Sequence, residues 1–195
     1  MSIQRLYEEY LPPYEACVKA GARGIMPAFN DINGVPCSVN RWLLTDVLRN
    51  QWGFNGMTVS DANAIAECVN HGIAADKASA SKQALEAGMD MDMTSNSYIE
   101  TVEELVKSGK VKEETLDRAV ADILRVKFEL GLFDNPYQTS NEREVAELSN
   151  PEYRVLAREM AEKSIVLLKN DNILPLKRDM HIGIIGELAD ARGQM

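Results

Sequence analysis

The stretch 56-GMTVSDANAIAE-67 decides how the chain is read. A short apolar run, Met57-Thr58-Val59, ends in Ser60-Asp61; small residues follow, and an amphipathic pattern begins behind them. That is the outline of a buried strand, a tight loop and a helix. A carboxylate at the mouth of a buried strand gives up hydration, so the position of Asp61 calls for an explanation.

The same outline repeats on both sides. Residues 12–20 read as a helix, with Pro12 and Pro13 in its first turn and Gly21 just past its end. Gly24 to Phe29 reads as a buried strand, and the Asn-, Gly- and Pro-rich loop NDINGVPCSV follows. Asn40 can cap a helix that carries Leu43, Leu44, Val47, Leu48 and Trp52 on one side and stops at Gly53. After the Asp61 loop, Asp76 to Ala87 reads as a helix ended by Gly88, and Met89 to Met93 (MDMDM) as a third short strand. Ser97 and Glu100 stand at capping-box spacing, and Glu113 to Leu130 forms a longer amphipathic helix ended by Gly131. Residues 21–108 therefore read as three consecutive strand–helix units. Such alternation implies a parallel sheet whose chemistry lies at the C-terminal strand ends. Asn30, Asp61 and Asp92 all fall on that edge.

Beyond Gly131 the periodicity fades, and 131–150 reads as a linker. Asn150-Pro151 restarts a helix, and the runs SIVLLK (164–169) and HIGIIG (181–186) read as strands opening a second α/β domain.

Composition narrows the function. Of 195 residues, 45% are hydrophobic and 26% charged, a globular balance. The net charge of −9 argues against nucleic acid as a partner, and no apolar run reaches the ~20 residues of a membrane helix. Three cysteines, Cys17, Cys37 and Cys68, and two histidines, His71 and His181, are too scattered for a disulfide framework or a zinc site. Reduced thiols favour a cytoplasmic setting. No metal or organic cofactor is expected, and the oligomeric state is left open.

Taken from the residues alone, Asp61 has two readings. It is either a loop carboxylate capping the next helix or a catalytic carboxylate at a strand end. Met26, Phe29 and Asn30 similarly divide between core packing and ligand contact. Asp90 and Asp92 alternate with Met89, Met91 and Met93, so one set faces the core and the other the helices or the mouth.

The segment MPAFNDINGVPCSVNRWLLTDVLRNQWGFNGMTVSDANAI closely resembles glycoside hydrolase family 3, which includes many β-glucosidases. The resemblance continues in order through ALEAGMDMDM, LDRAVADILRVKFELGLFDNPY and AREMAEKSIVLLKNDNILPL, and spans essentially the whole chain. It implies an α/β chain: the C-terminal part of a (β/α)8 TIM-type barrel at 1–130, a linker at 131–150, and the start of an α/β sandwich domain at 151–195. It implies retaining hydrolysis of a terminal β-linked sugar, glucose first, with a carbohydrate as partner. A β-xylosidase of the same family and a non-catalytic α/β module are the alternatives. The Asp of the family's Ser-Asp motif is the nucleophile, and here that position is Asp61. Met26 and Phe29 match the strand-end segment expected to touch sugar.

The family's acid/base Glu is expected beyond this chain; Glu67, Glu86 and Glu187 sit in no motif that would assign the role. The family's earlier sugar-binding residues are also expected outside it, since no Lys-His pair occurs. The chain by itself is therefore expected to be inactive. Many members carry Trp directly after the nucleophile, whereas here it is Ala62.

Overall fold

The computed structural model describes residues 1–190. Two compact units divide at residue 138: the first is Met1–Gln138, and the second begins at Thr139.

The first unit opens with a helical run of α-helix Ile3–Arg5, π-helical Leu6–Tyr10 and α-helix Leu11–Lys19, together α1. Strand β1 (Gly24–Ile25) follows. A small antiparallel hairpin, β2 (Asp31–Ile32) and β3 (Val35–Pro36), then turns at Asn33-Gly34. Both turn residues have positive φ, as a tight two-residue hairpin requires. Helix α2 (Trp42–Gln51) has π-type hydrogen bonding. Asn40 Oδ1 accepts from the Leu43 amide at its start, and Gly53 at φ 71° releases the chain at its end.

Strand β4 (Met57–Thr58) pairs in parallel with β1 in the register Gly24↔Met57 and Ile25↔Thr58. Val59 makes a parallel bridge to Met91. The three expected strands therefore lie side by side in sequence order, but each is shorter than its apolar run suggests. The third, expected over 89–93, is reduced to that single bridge. One reason is chemical: the Thr58 amide donates to the Asp90 carboxylate rather than to a backbone carbonyl of the third strand.

Helices α3 (Ala64–Asn70), α4 (Lys77–Ala87), α5 (Ser97–Lys107) and α6 (Glu113–Glu129) complete the unit. Helix α4 begins on a capping box formed by Asp76 and Ser79 and ends at Gly88, φ 108°. Its inner face, Ala80, Ser81, Ala84 and Ala87, is small, and all four residues are buried. Small residues let the helix lie close to its neighbours α3 and α5. The expected capping box at Ser97 does not form: Asn96, in the left-handed region, is the N-cap of α5 and Ser97 is its first helical residue.

Three apolar clusters hold the unit together, one of them joining Leu6 and Leu11 of α1 to Val47 of α2. A second joins Leu44, Leu48, Phe54, Ile65, Cys68 and Met89 between α2, α3 and the strands. The third joins Leu85, Val102, Leu105, Val111 and Ala119 between α4, α5 and α6. Fully burying one such side chain contributes about 1.5–3 kcal/mol. No helix among the described residues is long and apolar enough to cross a membrane.

In the second unit, α7 (Asn141–Leu148) and α8 (Pro151–Ser164) are followed by extended chain and a 3-10 turn at Glu187–Asp190. Asn150 caps α8 through the Glu152 amide, with Pro151 in the first turn. The stretch 131–150 holds a helix, because Ser140 caps α7 within it. One expectation is corrected here. The runs 164–169 and 181–186 are not strands, because neither meets a pairing partner among the described residues. A strand without a neighbour leaves its amides and carbonyls to water, so β propensity alone does not produce one.

Candidate active site

Asp61 stands two residues beyond the Val59–Met91 bridge, at the C-terminal end of the paired strands. Because the pairing is parallel, the residues that follow β1 (Met26 to Asn30) and those that follow Met91 (Asp92, Met93) emerge at the same edge. Met26 and Phe29 are exposed, at 42% and 41%, and Asp61 is half-buried.

The Asp61 carboxylate has one partner among the described residues: Oδ1 accepts from the Ala62 amide at 2.7 Å. It does not cap α3. The N-cap residue of that helix is Asn63, at φ 64°, and no side chain supplies a capping bond there. The local explanation for the carboxylate is therefore weak at this position. Asp92, by contrast, is held in a structural role. Its Oδ1 accepts from the Ser95 hydroxyl at 2.6 Å and its Oδ2 from the Tyr98 amide at 3.3 Å, in the first turn of α5.

The Asp61 loop is sewn to its neighbour by residues that sequence reasoning passes over. The Ser60 amide donates to the Met91 carbonyl (2.9 Å), and the Met93 amide donates to Ser60 Oγ (2.9 Å). The Asn63 amide is shared between the Met93 carbonyl (2.9 Å) and Thr94 Oγ1 (3.1 Å). The only signal in the sequence is a pair of small hydroxyl residues, Ser60 and Thr94, next to strand ends.

At the opposite strand end lies an ionic network that sequence reasoning also misses. The Asp90 side chain is fully buried; Oδ2 meets Arg49 Nη2 at 2.6 Å and the Thr58 amide at 2.8 Å, and Oδ1 meets Arg118 Nη1 at 2.9 Å. Asp122 accepts from Arg49 (2.9 Å) and Arg125 (2.6 Å). Burial pushes the Asp90 carboxyl up, and the Thr58 amide, Arg49 and Arg118 pull it back down. These residues come from α2, α6 and two strand positions, so no local spacing announces the network.

Two of the cavities lie within the first unit. One, of about 250 Å³, is lined by Tyr10, Tyr14, Met26, Asn30 and Trp52 among others, between β1 and the helices. It takes in Met26 but not Phe29 or Asp61, so these three candidate residues share an edge without sharing a cavity. The other, of about 590 Å³, is lined by Arg41, Arg49, Glu86, Glu114 and Arg118 beside Gly88, ahead of the third strand. Asp61 lines neither. Among the described residues no three His, Cys, Asp or Glu side chains gather in a way that could hold a metal ion. His71 is an exposed residue closing α3, Glu67 lies on that helix, and Glu187 belongs to the second unit.

Parallel strands alternating with helices, with Asp61 and Asp92 at their C-terminal edge, place the chain among α/β proteins. Residues 1–126 match the model of the glycosyl hydrolase family 3 N terminal domain, and the chain belongs to that family. It is 46% identical over 197 aligned residues to a periplasmic beta-glucosidase of Salmonella typhimurium, covering 98% of this chain and 26% of that protein. It is 43% identical to a beta-xylosidase of Formosa agariphila, covering 90% of this chain and 26% of the relative. Among solved structures, the beta-glucosidase of Listeria innocua in complex with glucose superposes with a TM-score of 0.79 at 41% identity, over 90% of this chain and 24% of that one. The chain thus spans about a quarter of the length of these relatives.

Proposed function

We propose that this chain carries the nucleophile of a retaining β-glycosidase that removes a terminal β-linked sugar, glucose first, and that Asp61 is that nucleophile. The observation that carries this reading is the state of the Asp61 carboxylate. It is half-buried, it sits at the C-terminal end of a parallel strand, and it is bound to a single amide rather than to a helix end. A nucleophile must be ionised and have a free oxygen, and a strand-end loop offers amide donors and solvent together. The similarity to relatives named beta-glucosidase and beta-xylosidase supports the same reaction class.

In this mechanism Asp61 attacks the anomeric carbon as the glycosidic bond breaks, giving a glycosyl-enzyme that water then hydrolyses. A second carboxyl about 5–5.5 Å away protonates the leaving oxygen and later activates the water. We assign that acid/base group to a part of the full-length protein outside this chain. Met26 and Phe29 are proposed to touch the sugar from the neighbouring strand end. Residues 1–130 are proposed as the C-terminal part of the barrel, 131–150 as the connection holding α7, and 151–195 as the start of a sandwich domain.

Glucose and xylose differ by one hydroxymethyl group, and the relatives include enzymes named for each sugar. Glucose stays first because the relative at 46% identity is named for it. The test uses the full-length protein containing this chain. Aryl β-glucoside and β-xyloside turnover are measured in the unaltered protein and in Asp61→Asn. Equal turnover in the two proteins would end the proposal.

A further inference from the structure

We propose that Ser60, backed by Thr94, is the positioning residue for Asp61. This rests on the reading of Asp61 as nucleophile. Ser60 is fully buried at the end of a strand, where a β-branched apolar residue would pack better. Its hydroxyl is used in both directions: it accepts from the Met93 amide at 2.9 Å and donates to the Asp61 carbonyl at 3.0 Å. The backbone of Asp61 is thereby tied to the chain that follows the third strand.

The second tie lies just beyond. The Asn63 amide reaches both the Met93 carbonyl and Thr94 Oγ1. Thr94 is held at φ 62°, a conformation that β-branched residues rarely adopt, and Asn63 faces it at φ 64°. Two left-handed residues, Asn63 and Thr94, on neighbouring loops and joined by a hydrogen bond, flank Asp61. Among the described residues, nothing fixes the Asp61 carboxylate except its own backbone and the Ala62 amide. Its direction toward an anomeric carbon is therefore set by the Ser60 and Thr94 ties. Misplacement of a reacting group by about 1 Å costs on the order of 10²-fold in rate.

The experiment uses the full-length protein with 2,4-dinitrophenyl 2-deoxy-2-fluoro-β-D-glucoside and its xylo counterpart in parallel. A carboxylate oxygen bonds to C1, the C1–O bond to the aryl group breaks, and dinitrophenolate leaves with the electron pair. The fluorine slows hydrolysis of the ester, so the labelled residue accumulates. Label is expected on Asp61. Ser60→Ala and Thr94→Gly should each slow the limiting labelling rate roughly 10- to 100-fold, with half-saturation moved by less than about threefold.

Thr94 is exposed and glycine accepts its backbone conformation, so Thr94→Gly should unfold at the same urea concentration or a higher one. A loss of rate with stability kept separates positioning from mere structural support. An unchanged limiting rate in Thr94→Gly overturns the positioning role while leaving the nucleophile intact. Label absent from Asp61 in the unaltered protein, with both reagents, overturns the nucleophile and this inference together.

Discussion

Two carboxylates, Asp61 and Asp90, stand at opposite ends of the same small parallel sheet and are treated in opposite ways. Asp90 is fully enclosed and meets two arginines, a backbone amide and a second carboxylate's network. Asp61 is half-open and meets one amide. Enclosure and saturation make a carboxylate a structural strut, whereas an open oxygen leaves it free to react. With Asp61 as the proposed nucleophile, the division matches the rule for barrels, with stability at the N-terminal strand ends and chemistry at the C-terminal ones. Even the bonding differs in kind. Ion pairs brace one end, while hydroxyls, backbone amides and the Asp92 carboxylate, with no arginine or lysine, hold the other.

The comparison is most sharply tested by exchanging the two losses in the full-length protein. Asp61→Asn is expected to lower kcat/KM by more than about 10³-fold, as removal of a nucleophile does, while urea unfolding moves by no more than about 0.5 kcal/mol. Asp90→Ala is expected to do the reverse. Stability should fall by about 3–5 kcal/mol, since a buried pair loses one partner and the Thr58 amide loses its acceptor. Any protein that still folds should keep its labelling at Asp61. If Asp90→Ala left stability untouched, the strut description would be wrong.

A smaller effect is expected at Gly56, which leads into β4. A Cβ there would stand 2.2 Å from the Arg23 carbonyl oxygen, which accepts the Met57 amide, and 2.7 Å from Phe54. Gly56→Ala should therefore cost about 1–3 kcal/mol by forcing β1 and β4 apart. Denaturant midpoints of the two proteins measure it.

The smallest expected effect concerns the thiols. Burial raises Cys37 and Cys68 from 9.0 to about 11, while Cys17 is exposed. At pH 8 a thiol reagent should modify Cys17 in the folded protein and all three cysteines in urea. A thiol whose folded value lies above its unfolded one stabilises the fold below the unfolded value and loses that contribution as pH rises through the folded one. Stability should therefore decline between pH 9 and about 11. Rapid modification of Cys68 at pH 8 would contradict its burial.

Local signals carry much of this fold. The Asp76 cap, the Gly53, Gly88 and Gly131 stops, and Asn150-Pro151 each act within a few residues, so the chain displays them directly. Strand length is overestimated from sequence because pairing depends on a neighbour. MDMDM looks like a strand, yet its aspartates bind arginines on one side and a loop on the other. SIVLLK and HIGIIG have the right residues and no partner among those described. Helix α7 is hidden in a stretch rich in turn formers, its start marked only by Ser140. At the candidate site, Asp61 is legible because a motif surrounds it. Ser60 and Thr94 are not, because their meaning lies in bonds between residues about thirty positions apart.

The arginine–aspartate brace at the N-terminal strand ends also has a consequence for how such a sequence can diversify. The edge that carries Met26, Phe29 and Ala62 contributes little to the packed interior, since all three residues are exposed. Substitutions there can be sampled without first acquiring compensating mutations elsewhere. A scaffold anchored at one end leaves the other open to drift, so the residues on the Asp61 edge can change along a lineage faster than the fold that presents them.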